Sequence, residues 1–171
     1  MKASSSPSPS PLAVAAAVLA VAACSGASAT IESTCRQAAA GDPLVDVAYC
    51  TRQFTAYHGA DEADAWGLAK AAALIGVNLA DDAVYDIGNG KARAPRACAE
   101  AYDAVGGAFA EASDELGARR FAAARMQMAR VGILVHRCDG GGRAPPELAR
   151  YSAECRQMAV IGIAISRLLV K

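Results

Sequence analysis

The feature that most constrains this chain is a repeat of apolar residues three and four positions apart, kept up over long stretches. In the C-terminal stretch seven positions step 3-4-3-4-3-4: Leu148, Tyr151, Cys155, Met158, Gly162, Ile165 and Leu169. Residues spaced in this way fall on one face of an α-helix and form a seam that packs against other helices. The pattern predicts an amphipathic helix at the end of the chain, and Pro145-Pro146 predicts where it begins.

Three other stretches have the same spacing. They cover residues 98–116, residues 121–138 and, with some drift, residues 65–79. Glycine and proline separate the stretches, and so few residues follow Gly117 that the helices on either side of it must be antiparallel neighbours. Aromatic residues are only 5% of the chain, which favours helices over sheets. Four such stretches predict an all-α fold, an antiparallel four-helix bundle.

A short α-hairpin is expected in front of the bundle. Within residues 30–58 the turn sequence Gly41-Asp42-Pro43 separates two short helical patterns. The four bundle helices then occupy residues 60–171. We therefore predict one domain over residues 30–171.

Residues 1–29 have the pattern of a secretory signal peptide. Lys2 supplies a positive start, residues 12–23 are uninterruptedly apolar, and Ala27-Ser28-Ala29 provides small residues for cleavage. The apolar run is too short to cross a hydrocarbon core of about 30 Å. We predict that residues 1–29 are removed and that the mature chain is secreted without a membrane partner; the alternative interpretation is a membrane anchor.

Five cysteines remain after the predicted cleavage: Cys35, Cys50, Cys98, Cys138 and Cys155. In an oxidising compartment four of them can form two bridges, with one thiol left over. Bridged residues of a helical hairpin should lie equally far from its turn. The pairs Cys35–Cys50 and Cys98–Cys138 satisfy this test, but so does Cys138–Cys155, so the spacing leaves the pairing open.

The residues that carry common chemistry are scarce. Seventeen basic residues balance seventeen acidic ones, so no nucleic-acid partner is expected. Neither a metal ligand cluster nor a nucleotide-binding or nucleophile motif is present, so we expect no catalytic residues, no metal and no cofactor. His58 and His136 are interpreted as surface residues at helix ends, Cys155 as a buried thiol, and Met126 and Met128 as side chains that fill gaps in the core. The chain is expected to be a binding protein rather than an enzyme.

Short fragments around the cysteines follow one another in a familiar order. They are Thr34-Cys35, Tyr49-Cys50, Ala63-Asp64-x-x-Gly67-Leu68-Ala69, Cys98-x-x-x-Tyr102-x-x-Ala104, Cys138-Asp139-Gly140 and Met158-Ala159-x-Ile161-x-Ile163-Ala164-Ile165. In this order and spacing, residues 30–171 resemble the plant invertase/pectin methylesterase inhibitor family, and within it the pollen-type invertase inhibitors. The resemblance implies a four-helix bundle after an α-hairpin, the disulfides Cys35–Cys50 and Cys98–Cys138, and a free thiol at Cys155.

The resemblance also implies a function. Members of this family inhibit acid invertase (β-fructofuranosidase) or pectin methylesterase by protein–protein contact, in the apoplast or the vacuole. Invertase inhibitors carry a Pro-Lys-Phe tripeptide between the second and third bundle helices, where this chain has Arg119, Arg120 and Phe121. These three residues are therefore the predicted enzyme contacts, and a cation on a protruding turn suits a cleft lined by carboxylates. The alternative for this turn is that both arginines are solvated and Phe121 only starts the core stripe.

We accordingly expect a secreted inhibitor that blocks the active-site cleft of an acid invertase. The alternative target is pectin methylesterase, which the family's inhibitors of that enzyme contact through helix faces. From another class of function, a small-ligand carrier or a structural or defence bundle stays open.

Overall fold

The computed structural model describes residues 30–139 and 146–170 of the chain, and these residues form helices joined by turns. The helices are α1 (30–41), α2 (Val47–Ala56), α3 (Ala65–Gly88), α4 (Arg96–Gly117), α5 (Phe121–Asp139) and α6 (Ala149–Leu168). None of the described residues forms a strand, and the all-α prediction is confirmed. The predicted signal peptide at residues 1–29 lies outside the described residues.

Helices α3 to α6 pack side by side in a ring. Each contacts its neighbours in sequence, and α3 also contacts α6, which closes the ring. Within the part of the chain described, no helix is both long and apolar enough to span a bilayer.

Local side chains decide where two of these helices begin. The Asp64 carboxylate caps α3 by accepting the Gly67 N–H at 2.8 Å, and Asp46 caps α2 in the same way through the Tyr49 N–H at 2.9 Å. Helix α6 differs from expectation, because residues 146–148 form a turn and the helix begins only at Ala149.

The apolar repeats face the interior. Tyr102, Phe109, Met128 and Ile165 are fully buried, and Phe121 at the start of α5 is half-buried against the same core. Of these four side chains, that of Tyr102 also buries a hydroxyl group. This hydroxyl lies 2.8 Å from the Ser152 hydroxyl, so each group has a hydrogen-bond partner within the core.

The hairpin of α1 and α2 is fastened to the bundle through α6. Arg167 pairs with Asp42 in the α1–α2 turn at 2.9 Å, and the Gln157 side-chain amide donates to the Leu44 carbonyl at 3.1 Å. The turn of the hairpin therefore lies over α6 between Gln157, near its middle, and Arg167, near its end.

Candidate functional site

The predicted enzyme contacts Arg119, Arg120 and Phe121 lie together where α4 gives way to α5. Helix α4 ends in a Schellman motif, in which the Arg120 N–H donates to the Glu115 carbonyl at 2.8 Å and the Arg119 N–H to the Leu116 carbonyl at 3.0 Å. The motif places Arg119 in the left-handed region, with a φ of 58°. Glycine adopts this conformation readily. Proline cannot adopt it, because its ring holds φ at about −65°.

The side chains of this turn have partners within the protein. The guanidinium carbon of Arg119 lies 4.6 Å from the centre of the Trp66 ring. Arg120 forms an ion pair with Glu115, and that hydrogen bond is the main cause that lowers the pKa of the Glu115 carboxyl. Phe121 packs half-buried against the core. The structure thus brings the three predicted residues together, but it holds both arginines against the surface of the bundle.

The cysteines form the two bridges that the family resemblance implies. Cys35 and Cys50 have their Cα atoms 5.9 Å apart, and those of Cys98 and Cys138 are 4.4 Å apart. Cys155 is unbridged and buried, and burial is the largest cause that raises the pKa of its thiol to about 12. Such a thiol stays protonated and unreactive at physiological pH.

A second candidate site is the outer face of α5. Four residues step 4-3-4 along it and form what we call the α5 stripe: Ala122, Met126, Ala129 and Ile133. Met126 is 67% exposed and Ile133 is 66% exposed. An open groove of about 420 Å³ runs beside the stripe, and Ile163 of α6 adds a further apolar side chain to its lining. Exposed apolar side chains in a continuous row are typical of a protein contact surface.

Arginines border the α5 stripe. Arg125 and Arg167 line the same groove. Arg130 lies one turn farther along α5 and reaches Glu111 of α4 at 3.3 Å. The rim of the stripe is therefore basic, and two of its arginines have acidic partners within the protein, Arg130 with Glu111 and Arg167 with Asp42.

This outward apolar face of α5 was not expected from the sequence. Met126 and Met128 were both expected to fill the core, but only Met128 does so, and the interpretation of Met126 was wrong. The two residues point about 200° apart on a helix, so they cannot share one face. The second 4-3-4 spacing through Met126 and Ile133 was the pattern that could have revealed an outward apolar row.

Groups suited to catalysis are not gathered at either candidate site. Over residues 30–139 and 146–170, no cluster of three histidine, cysteine or acidic side chains could hold a metal ion. His58 and His136 are both exposed. The polar cluster between α3 and α6 is structural, since the Asp86 carboxylate accepts the Tyr151 hydroxyl at 2.7 Å and the Lys91 ammonium at 3.2 Å. These two bonds lower the pKa of Asp86.

Two rice proteins are similar to this chain over most of its length. Pectinesterase inhibitor 8 of Oryza sativa subsp. japonica is 39% identical over 156 residues, which cover 84% of this chain and 85% of that protein. Pectinesterase inhibitor 12 of the same organism is 38% identical over 161 residues, which cover 86% and 78% respectively. No family model matches the chain. Both similarities concern the chain as a whole rather than a single motif.

Proposed function

The chain belongs to the plant invertase/pectin methylesterase inhibitor family, and we propose that it is a secreted protein inhibitor of a pectin methylesterase. The observation that carries the proposal is that two relatives, 39% and 38% identical to it, are both named pectinesterase inhibitors. Acid invertase, the target that was expected from the sequence, becomes the alternative target.

The turn between α4 and α5 supports this order. The Pro-Lys-Phe turn of invertase inhibitors begins with proline, but Arg119 at that position has a φ of 58°, which proline cannot adopt. The cation at the next position, Arg120, is held by Glu115. Because its backbone conformation differs from that of a turn that begins with proline, this turn is poorly suited to act as the invertase plug.

The α5 stripe is the surface that we propose for contact with the enzyme. Interfaces concentrate their binding energy in a few apolar, aromatic and arginine side chains surrounded by a polar rim. Met126 and Ile133 supply the apolar centre, and Arg125 and Arg130 stand at its edge. Helix α5 has 19 residues, so it and α6 present faces almost 30 Å long. Two such faces can supply the ~800 Å² that each partner buries in an interface of standard size.

The charge of the rim indicates what the enzyme should offer. Arg125, Arg130 and Arg137 all project from α5. They complement a cleft whose mouth carries carboxylates, and such charges raise the association rate and fix the orientation of the complex. Inhibition then consists of covering the cleft against a polymeric substrate, without any bond being made or broken.

The remaining expectations fit this proposal. Secretion directed by residues 1–29 would bring the inhibitor to the extracellular space where pectin lies, and disulfides suit that oxidising compartment. A carrier of small ligands would need a cavity inside the bundle. That role has no comparable support, because fully buried side chains such as Tyr102, Phe109 and Met128 fill the core.

The experiment compares inhibition of a purified pectin methylesterase and an acid invertase by the mature chain and its variants. In the double variant Met126→Asp/Ile133→Asp, two carboxylates would enter the apolar centre of the interface. We expect the inhibition constant for the methylesterase to rise about 30-fold or more, as for the loss of interface hot spots. The matched control is Leu44→Asp, which changes another exposed apolar residue, 69% exposed in the α1–α2 turn, and should inhibit normally.

The variant Arg120→Ala tests whether the enzyme contacts the α4–α5 turn or the α5 stripe. If the α5 stripe makes the contact, this variant inhibits the methylesterase as well as the unchanged chain does. Unaltered inhibition by a correctly folded stripe variant would exclude the stripe. Inhibition of invertase with none of the methylesterase would overturn the proposed target.

A further inference from the structure

A second groove lies away from the α5 stripe, between the α2–α3 connection and the first turns of α3. It is open to solvent and has a volume of about 250 Å³. We call it the Trp66 groove, and the side chains in its lining that matter here are those of Tyr57, His58, Trp66, Lys70 and Leu74. Its size suits one small unit of a ligand that continues into solvent on either side.

Two cations share the indole ring of Trp66. The Lys70 ammonium lies 5.3 Å from the ring centre, and the Arg119 guanidinium carbon, from the α4–α5 turn, lies 4.6 Å from it. Neither cation takes part in an ion pair among residues 30–139 and 146–170. The nearby Asp64 carboxylate is engaged in capping α3. Lys70 therefore brings a positive charge to the lining of the groove, and Arg119 adds a second charge at the same ring but outside that lining; neither charge is held in an ion pair within the described residues.

The other lining groups define what an anionic ligand must offer besides its charge. Leu74 is 38% exposed and adds apolar surface to that of the indole. Tyr57 and His58 bring a hydroxyl and a ring nitrogen that can exchange hydrogen bonds. A sugar acid combines the matching features, because it has a carboxylate, hydroxyl groups and an apolar face of C–H bonds.

We propose that the Trp66 groove binds a uronate unit of an acidic oligosaccharide, with its carboxylate at Lys70 and its C–H surface against Trp66 and Leu74. The choice of uronate rests on the proposed function, because removing methyl esters from pectin leaves free uronate carboxylates. Arg119 lies at the same ring, with its guanidinium carbon 4.6 Å from the ring centre but outside the groove, and would meet the carboxylate of a neighbouring unit of the same chain. Such binding would hold the inhibitor on the polymer that the enzyme has just de-esterified.

Trp66 also provides the measurement, because it is the only tryptophan of the chain. Its fluorescence is followed while a short unesterified oligogalacturonide is added to the mature protein at low salt. We expect a saturable change, and none with the fully methyl-esterified oligomer. Lys70→Gln, and Arg119→Gly, which retains the left-handed turn, should each weaken binding about tenfold, as expected for the loss of a charge-assisted contact.

The matched control is Arg52→Gln, because the Arg52 guanidinium carbon lies 5.2 Å from the centre of the Tyr49 ring, so this variant also removes a cation that stacks on an aromatic ring, but away from the groove. If Arg52→Gln weakened binding as much as Lys70→Gln, the effect would be one of net charge alone, and the proposal would be overturned. The absence of a saturable change, equal binding of the methyl ester, or equal binding of an oligoglutamate of the same length would also overturn it. The titrations contain no enzyme, so their result does not depend on whether the chain inhibits a pectin methylesterase. Likewise, the inhibition assay does not depend on whether the groove binds the oligogalacturonide.

Discussion

At the scale of single residues, Arg119 has the clearest consequence. The Schellman bonds at the end of α4 place it in the left-handed region with a φ of 58°, a conformation that side chains with a Cβ adopt at a cost of roughly 1 kcal/mol or more. Its contact with Trp66 offsets part of this cost. A single backbone angle therefore separates this turn from one that starts with proline.

Three substitutions at this position test the conformation. Arg119→Gly relieves the strain but loses the stacking, so we expect its free energy of unfolding to stay within about 0.5 kcal/mol of the unchanged chain. Arg119→Ala loses the stacking and keeps the strain, and should be about 1 kcal/mol less stable than the glycine variant. Arg119→Pro should cost about 3 kcal/mol or more. Urea unfolding measures all three, and a proline variant of normal stability would show that the turn can adopt the other conformation.

At the scale of helices, glycine sets how closely two neighbours approach. A Cβ atom built on Gly76 of α3 would come within 2.5 Å of the Phe109 ring of α4, and one on Gly162 of α6 would collide with the Met128 sulfur of α5. Trp66 joins the same two helices where α3 begins and α4 ends, since its indole N–H donates to the Leu116 carbonyl at 2.8 Å. Close packing and this bond together fix how the two helices lie against each other.

Gly76→Ala should therefore destabilise the protein. The added methyl group has no room beside the buried Phe109 ring, and overpacking of this kind costs roughly 1–3 kcal/mol. Gly132→Ala is the control, because a Cβ at Gly132 on α5 meets nothing within 4 Å. The control should gain up to about 1 kcal/mol from its better helix propensity. Thermal and urea unfolding measure the stability of both variants. A Gly76→Ala variant as stable as the unchanged chain, or more stable, would contradict this packing.

At the scale of the whole molecule, covalent and polar links join elements that are distant in sequence. The bridge Cys98–Cys138 links the start of α4 to the end of α5 across 40 residues, while Cys35–Cys50 closes the hairpin across 15 residues. Arg167 and Asp42 then join the hairpin to α6. A bridge stabilises a fold mainly by restricting the unfolded chain, and the effect grows with the length of the closed loop.

Removal of each bridge should follow that order. Replacing both Cys98 and Cys138 by serine is expected to lower the free energy of unfolding by about 4 kcal/mol, and the same change at Cys35 and Cys50 by about 3 kcal/mol. Unfolding in urea without reductant gives both values. A clearly larger loss from the hairpin bridge would mean that its main effect is to dock α1 and α2 on the bundle.

How much of this molecule could be predicted from the sequence depends on how local each property is. Helical periodicity is local, so the regularly spaced apolar residues within 98–116 were expected to face the core, and Tyr102, Val105 and Phe109 among them are fully buried. The number and order of the bundle helices followed from the same repeat. The cysteine pairing did not, since spacing left Cys138 with two partners, and the folded backbone brings it within 4.4 Å of Cys98, measured between Cα atoms.

By itself, the sequence determined the helices and their buried faces, because helix geometry repeats every 3.6 residues whatever the neighbours are. Only the tertiary structure decided that Met126 faces outward, since both sides of α5 carry an apolar 4-3-4 spacing and packing uses one of them. It also decided the left-handed turn at Arg119 and its contact with Trp66, 53 positions away. The turn at Arg119 and the Trp66 groove depend on such contacts, because long-range packing brings together residues that no local pattern connects.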